Sequence, residues 1–203
     1  MFDSITLVCV DGLRDLTKFV NRIAERFEFR NVYTDFNPRS LAGYDDFVVR
    51  ELHKYIATEF ALIVQYDGYP LKISAWNEGF LKYDYIGAPW LLQPWARGKT
   101  VGNGGFSLRS KRFLEQSACL DYDSNCYPED AFLCRIADKE LKGKGIRFAP
   151  IDVAYDFSVE DMPYKGQFGF HGKKTIEINR ELKLFDDIPS VADKKWVLSL
   201  PSG

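Results

Sequence analysis

Four acidic side chains, one histidine and one glycine-rich run carry the residue types from which a catalytic site could be built. Asp11 and Asp67 each close an apolar stretch (ITLVCV and FALIVQY), and a glycine follows each of them. A carboxylate at such a strand end can hold a divalent cation, although an Asp-Gly pair also makes an ordinary turn. His171, one of two histidines, stands in FGFHG with glycines on both sides. Asp67 and His171 together form an O/N donor set suited to Mn²⁺ and acceptable for Mg²⁺, if the fold joins positions so far apart. Glu129 and Asp130 follow Pro128 at a helix start. One of them could serve as a general base, but helix N-termini attract acids without any chemistry. The run Val101–Ser110, VGNGGFSLRS, offers three glycines and Asn103 just before a strand-like segment. Gly102, Gly104 and Gly105 permit a tight turn or close approach of a ligand, and Asn103 supplies donors and acceptors.

The elements that must position these groups read as an α/β fold. Ile5–Val10 and Phe60–Gln65 are continuous apolar runs, the pattern of buried strands. Asn31–Thr34 is a further short strand. Leu16–Phe27 and Tyr44–Tyr55 have helical spacing, and so does Glu129–Leu141. The order β-α-β-α-β predicts a central, mostly parallel mixed sheet with helices on both faces, a three-layer α/β/α arrangement. Ligands in such sheets sit at the carboxyl ends of the strands, which is where Asp11 and Asp67 fall. Tyr85–Gly87, Phe106–Leu108, Ile146–Ala149 and Val153–Phe157 read as additional strands, and Ser110 reads as the N-cap of a helix. KGKG at Lys142–Gly145 lacks the Walker pattern and reads as a helix end and turn. The chain is expected to be one domain over 1–203, with 174–203 as a C-terminal extension.

Composition excludes several classes. A formal net charge of −2 without a basic run argues against nucleic acid as a partner. No apolar stretch has the length of a transmembrane segment, and the N-terminus reads as a first strand rather than a signal peptide. Cys9, Cys119, Cys126 and Cys134 contain no CxxC pair, so reduced, mostly buried thiols in a cytoplasmic protein are expected. Aromatics make up 15% of the chain. Trp76, Trp90 and Trp95 could form a sugar-stacking platform. Core packing serves equally for the first two, whereas Trp95 lies in a polar loop and is the acceptor-binding candidate.

Taken in order, IVQYDGYPL, YDYIGAPW, VGNGGFSLRS, PEDAFLC and IRFAP resemble a small glycosyltransferase-like family labelled a domain of unknown function. That family is similar to the GT-A fold, with a Rossmann-like nucleotide half and an acceptor half. The resemblance runs from about Asp3 to Gly172. It implies a hexosyltransferase-like enzyme that moves a sugar from a nucleotide diphosphate sugar to an acceptor hydroxyl, with Mn²⁺ or Mg²⁺ as cofactor. The DxD position reads Gln65-Tyr66-Asp67, so only Asp67 remains as the metal carboxylate, with His171 as the second ligand. Asp11 falls where base and ribose are held. Asn103, Gly104 and Gly105 line the donor-sugar pocket, together with Gln65 and Asp67. Glu129 and Asp130 correspond to the acidic pair supplying the catalytic base, Asp130 ahead of Glu129. The alternative is a non-catalytic nucleotide-sugar or carbohydrate-binding domain on the same fold, which the Gln65 departure favours. A metal-dependent phosphoester hydrolase would want a denser Asp/His/Asn cluster.

Overall fold

The computed structural model describes residues 2–37, 40–91, 96 and 101–179. The chain is a mixed α/β protein. β1 (Ile5–Val10) and β3 (Phe60–Val64) are buried at every position, as strands covered on both faces must be. Between them lie α1 (Thr17–Phe27), β2 (Asn31–Asp35) and α2 (Leu41–Asp46). β2 and β3 both pair with β1 in parallel, with Ile5 opposite Phe60 and Thr6 opposite Asn31. β4 (Gly68–Pro70) follows a two-residue turn at Tyr66-Asp67. β5 (Tyr85–Ile86) and β6 (Ser107–Ser110) then complete the main sheet in the order β2-β1-β3-β6-β5. β6 runs antiparallel to both β3 and β5. β5 therefore runs in the same direction as β2, β1 and β3, and β6 alone is reversed, so the sheet is mixed with most strands parallel, as expected.

α3 (Lys111–Ala118) starts where Ser110 predicts: its Oγ accepts from the Phe113 N–H at 3.0 Å and donates to Asp84 Oδ1 at 2.8 Å. Of the three helices predicted from spacing, Leu16–Phe27 forms α1 unbroken, and the other two are broken. α2 passes into a π-helical turn at Phe47–Glu51 and a 3₁₀ turn at Leu52–Tyr55. α4 (Glu129–Ala131) passes into a π-helical turn at Phe132–Ile136 and then α5 (Asp138–Gly143). In both segments a row of buried apolar side chains stands four residues apart (Tyr44, Val48, Leu52; Leu133, Ala137, Leu141), with further buried neighbours such as Val49 and Cys134. That spacing is wider than the 3.6 of an α-helix, and a wider turn keeps the stripe on the core.

Val153–Phe157 is not a strand. It belongs to α6 (Ile151–Phe157), which buries Ala154 and Phe157 three residues apart. Ile146–Ala149 is reduced to one bridge, Phe148 to Tyr85. KGKG is a helix end and turn as expected, with Gly145 at φ 81°. β7 (Ser158–Glu160) and β8 (Gly169–His171) form a second sheet in the order β4-β8-β7. α7 (Lys173–Ile178) opens the expected C-terminal extension; residues 180–203 lie outside the described residues. Phe2, Phe106, Phe157 and Phe168 pack ring to ring, with Phe106 stacked on Phe157 at 5.0 Å. Cys9 and Cys134 are buried, but Cys119 and Cys126 are exposed, so the expectation of mostly buried thiols holds for half of them. Among the described residues, no helix is long and apolar enough to cross a membrane.

Candidate functional site

The second sheet joins residues that are far apart in sequence. β8 lies between β4 and β7, so His171 sits opposite both Gly68 and Glu160. The Gly172 N–H also donates to the Asp67 carbonyl at 2.8 Å. Asp67, at the tip of the β3–β4 turn, is thereby brought to His171: its Oδ1 lies 3.9 Å from His171 Nε2. Gln65 Oε1 lies 3.3 Å from the same nitrogen. Asp67 Oδ1 is buried and has no hydrogen-bond partner among the described residues, which leaves a carboxylate oxygen in need of a cation or donor. A carboxylate oxygen, an amide oxygen and an imidazole nitrogen are donor types that suit Mn²⁺ and are acceptable for Mg²⁺; among the described residues no group of three or more His, Cys, Asp or Glu side chains gathers as metal ligands would. The fit to a metal is one of donor chemistry.

His171 is held from its other side. Its Nδ1 is 3.2 Å from Glu160 Oε1 and 2.8 Å from Asn103 Nδ2. One nitrogen cannot donate to the carboxylate and accept from the amide at once, so each contact belongs to a different tautomer. In one, Nδ1 accepts from Asn103 and the Nε2 proton faces Gln65. In the other, Nδ1–H donates to Glu160, and Nε2 presents its lone pair towards Asp67. Burial opposes protonation of His171; Glu160 and Asp67 override it and raise the imidazole above its ordinary pKa.

Asn103 stands at φ 67° while 1% exposed. A buried non-glycine in the left-handed region is strained, a feature that collects at functional sites. Its carbonyl accepts from Tyr85 Oη at 3.1 Å. The neighbouring glycines are buried, and the protein's own side chains fill the space a Cβ would take: Trp90 at Gly102, Glu129 at Gly104, His171 and Gln65 at Gly105. The space beside these glycines is thus taken by the protein's own side chains.

The two acids after Pro128 separate sharply. Glu129 is 3% exposed and forms a bidentate pair with Arg109, at 2.8 and 3.0 Å. Arg109 is 0% exposed and also donates to Ser107 Oγ and the Gly104 carbonyl. Glu129 is thus committed to a structural ion pair. Asp130 is only half-buried. Its Oδ2 accepts from the Gly104 N–H at 3.0 Å. Desolvation, then the Glu129 charge, push its pKa up to about 6. Asp45 on α2 joins this group from behind; burial and then the Glu129 charge raise it to about 7.

Asp11 lies at the end of β1 as predicted, but its carboxylate is already engaged. Oδ1 accepts from the Leu13 and Arg14 N–H groups, and Oδ2 pairs with Arg14 Nη1 at 2.7 Å. It shapes the loop and holds Arg14 over the Tyr66 ring, 3.8 Å from the centroid. Here a cavity of about 280 Å³ opens, lined by Val10, Asp11, Arg14, Tyr44, Tyr66 and Lys173 among others. Trp76 packs edge-on against Phe2, Phe80 and Phe168, and Trp90 is 5% exposed; both belong to the core. Trp95, the acceptor-binding candidate, lies outside the described residues. Sequence reasoning missed Arg14, Tyr44, Asp45, Arg109, Glu160 and Lys173. Only Lys173, next to the HG of FGFHG, carried a visible signal.

Fold and site define a mixed α/β protein with a polar cleft at the carboxyl ends of its central strands. The chain belongs to a family of proteins of unknown function, DUF5672, whose model matches residues 26–171. No curated protein matches it.

Proposed function

We propose that the chain is a glycosyltransferase of the GT-A type, moving a sugar from a nucleotide diphosphate sugar to an acceptor hydroxyl. One juxtaposition carries this reading. Asp67, whose buried Oδ1 has no partner among the described residues, meets His171, and the strained Asn103-Gly104 turn links His171 to Asp130. Asp67 and His171, with the Gln65 amide oxygen, would hold Mn²⁺ or Mg²⁺. Such an ion neutralises charge on a departing diphosphate. Asp130 takes the proton of the acceptor hydroxyl. The acceptor oxygen bonds to the anomeric carbon as the bond from that carbon to the diphosphate breaks, and the nucleoside diphosphate leaves. A carboxylate with a pKa of about 6 is ionised near neutral pH, yet more basic than an ordinary aspartate, as a general base should be. Glu160 and Asn103 fix the His171 ring. Free thiols at all four cysteines support a reducing, cytoplasmic location.

The test is a thermal-shift screen of nucleotide sugars with and without Mn²⁺, followed by assay of nucleoside diphosphate release. A donor that stabilises the protein and is turned over supports the reading. Asp67→Ala and His171→Ala should each abolish the Mn²⁺ dependence, and unchanged Mn²⁺-dependent affinity in both removes the metal assignment. Gln65, where the resemblance expects an acid, favours a second reading: a nucleotide-sugar-binding domain without turnover. Stabilisation by a donor with no release of nucleoside diphosphate would decide for it.

A further inference from the structure

The Asn103–Gly104 peptide carries a hydrogen bond at each of its two polar ends. Tyr85 Oη donates to its carbonyl oxygen at 3.1 Å, and its N–H, that of Gly104, donates to Asp130 Oδ2 at 3.0 Å. Hydrogen bonds arranged in series polarise one another in a low-dielectric interior. Tyr85 is 0% exposed and Asn103 1%, so water does not compete for this carbonyl. The Cys134 thiol also lies beside the Tyr85 hydroxyl, but a thiol is a weak acceptor and the carbonyl takes the proton. The turn is tied down on its far side as well. The Gly104 carbonyl accepts from Ser107 Oγ at 2.9 Å and from Arg109 Nη2 at 3.3 Å, and Asn103 Oδ1 accepts from the Phe106 N–H at 3.4 Å. The left-handed backbone of Asn103 is thus fixed by contacts on both of the peptides that follow it.

We infer that Tyr85 is a positioning residue for Asp130: through the Asn103–Gly104 peptide its hydroxyl aims the Gly104 N–H at Oδ2, strengthens that bond and so favours the ionised carboxylate in one orientation. No substrate touches Tyr85, which lies wholly inside the protein. That Asp130 acts as the base of a sugar transfer rests on the function proposed above; the chain from Tyr85 to Asp130 does not. Burial and then the Glu129 charge raise Asp130, and the Gly104 and Ala131 N–H groups oppose the rise. Tyr85 acts on the opposing side. The other charged or titratable groups around Asp130 come from different elements: Glu160 from β7, Asp45 from α2 and His171 from β8. Tyr44, Tyr122 and Cys134 also sense its charge and are kept neutral by burial. A substitution at Tyr85 alters the charge of none of them.

Carboxyl-carbon NMR of the full chain labelled at aspartate tests it, with Asp130 assigned by the signal missing from Asp130→Asn. A hydrogen bond strengthened by roughly 10–30% at an ionised acceptor corresponds to about 0.1–0.7 pH unit. Asp130 should titrate higher by that amount in Tyr85→Phe, and the Gly104 amide proton should move upfield. Fluorotyrosine in place of Tyr85, a more acidic donor of nearly the same shape, should move both the other way. It keeps the inference testable if loss of the hydroxyl harms folding. Where donor turnover is found, the acidic limb of the kcat/KM profile should move to higher pH in Tyr85→Phe by the same amount. An Asp130 titration that both variants leave unmoved, or that Tyr85→Phe lowers, overturns the inference even if sugar transfer is found. The expected displacements without donor turnover leave the chain from Tyr85 to Asp130 standing and remove the transferase.

Discussion

Replacing Glu129 by Gln and Asp130 by Asn should move stability in opposite directions, although the two residues are adjacent and chemically alike. Glu129 is the counter-charge of a guanidinium with no exposure to solvent. Its loss leaves Arg109 buried beside an amide whose NH₂ opposes its own donors. Removing one partner of a buried pair costs about 3–5 kcal/mol. For a chain of this size each kcal/mol lowers Tm by about 2–4 °C, so Glu129→Gln should melt about 6–20 °C lower. Asp130 is the reverse case. Its pKa rises from 3.8 to about 6 on folding, so the fold disfavours the charged form. That corresponds to about 3 kcal/mol above pH 6; the neutral amide escapes this penalty, and the NH₂ it turns against one of the two backbone donors, Gly104 or Ala131, offsets only part of the gain. Asp130→Asn should therefore melt at or above the wild-type temperature at pH 8 while losing sugar transfer.

The sign with pH follows. Between about pH 4 and pH 6 the folded state binds more protons at Asp130 than the unfolded state, so wild-type stability falls as pH rises through that window and then levels. Asp45, raised to about 7, extends the decline. Asp130→Asn should flatten its share of the slope. Thermal melts from pH 4 to 8 measure both effects. If Asp130→Asn is destabilised as strongly as Glu129→Gln at pH 8, Asp130 is a second structural carboxylate and the assignment of the base fails.

Three further outcomes follow from the geometry. Glu160→Gln removes the charged acceptor from His171 Nδ1 and should weaken Mn²⁺ binding by about 10-fold or more, read by Mn²⁺ electron paramagnetic resonance without substrate. Unchanged affinity would mean that Glu160 does not orient the ring. Gly105→Ala would put a Cβ into the His171 imidazole and the Gln65 carboxamide; Mn²⁺ binding should be lost while the protein still folds, and wild-type affinity would show that the turn tolerates displacement. Ser110→Ala deletes the α3 cap and the bond to Asp84, which should cost about 0.5–2 kcal/mol in urea denaturation and leave Mn²⁺ affinity untouched.

The parallel half of the sheet was legible because β1 and β3 are apolar at nearly every position, the signature of strands covered on both faces. The helices at 44–55 and 129–141 were legible as helices but not as broken ones. A four-residue repeat differs from 3.6 by less than a short window resolves, and only the packed stripe shows which period won. The pairing of Asp67 with His171 was guessed from residue type, and its cause lies in a register: β8 lies between β4 and β7, which no local pattern encodes. The Glu129–Asp130 pair could not be divided from sequence, because the division depends on Arg109. In SLRS that residue reads as a solvent-facing member of an alternating strand, yet it is fully buried. A glycine shows that something approaches the backbone closely, not what approaches. In VGNGGFSLRS, Trp90, Glu129 and His171 fill the spaces beside the glycines, so the run lets a core tryptophan, a structural carboxylate and the site histidine pack against the backbone. Asn103, the one residue of the Gly102–Gly105 turn with a side chain, is also the one that carries a positive φ.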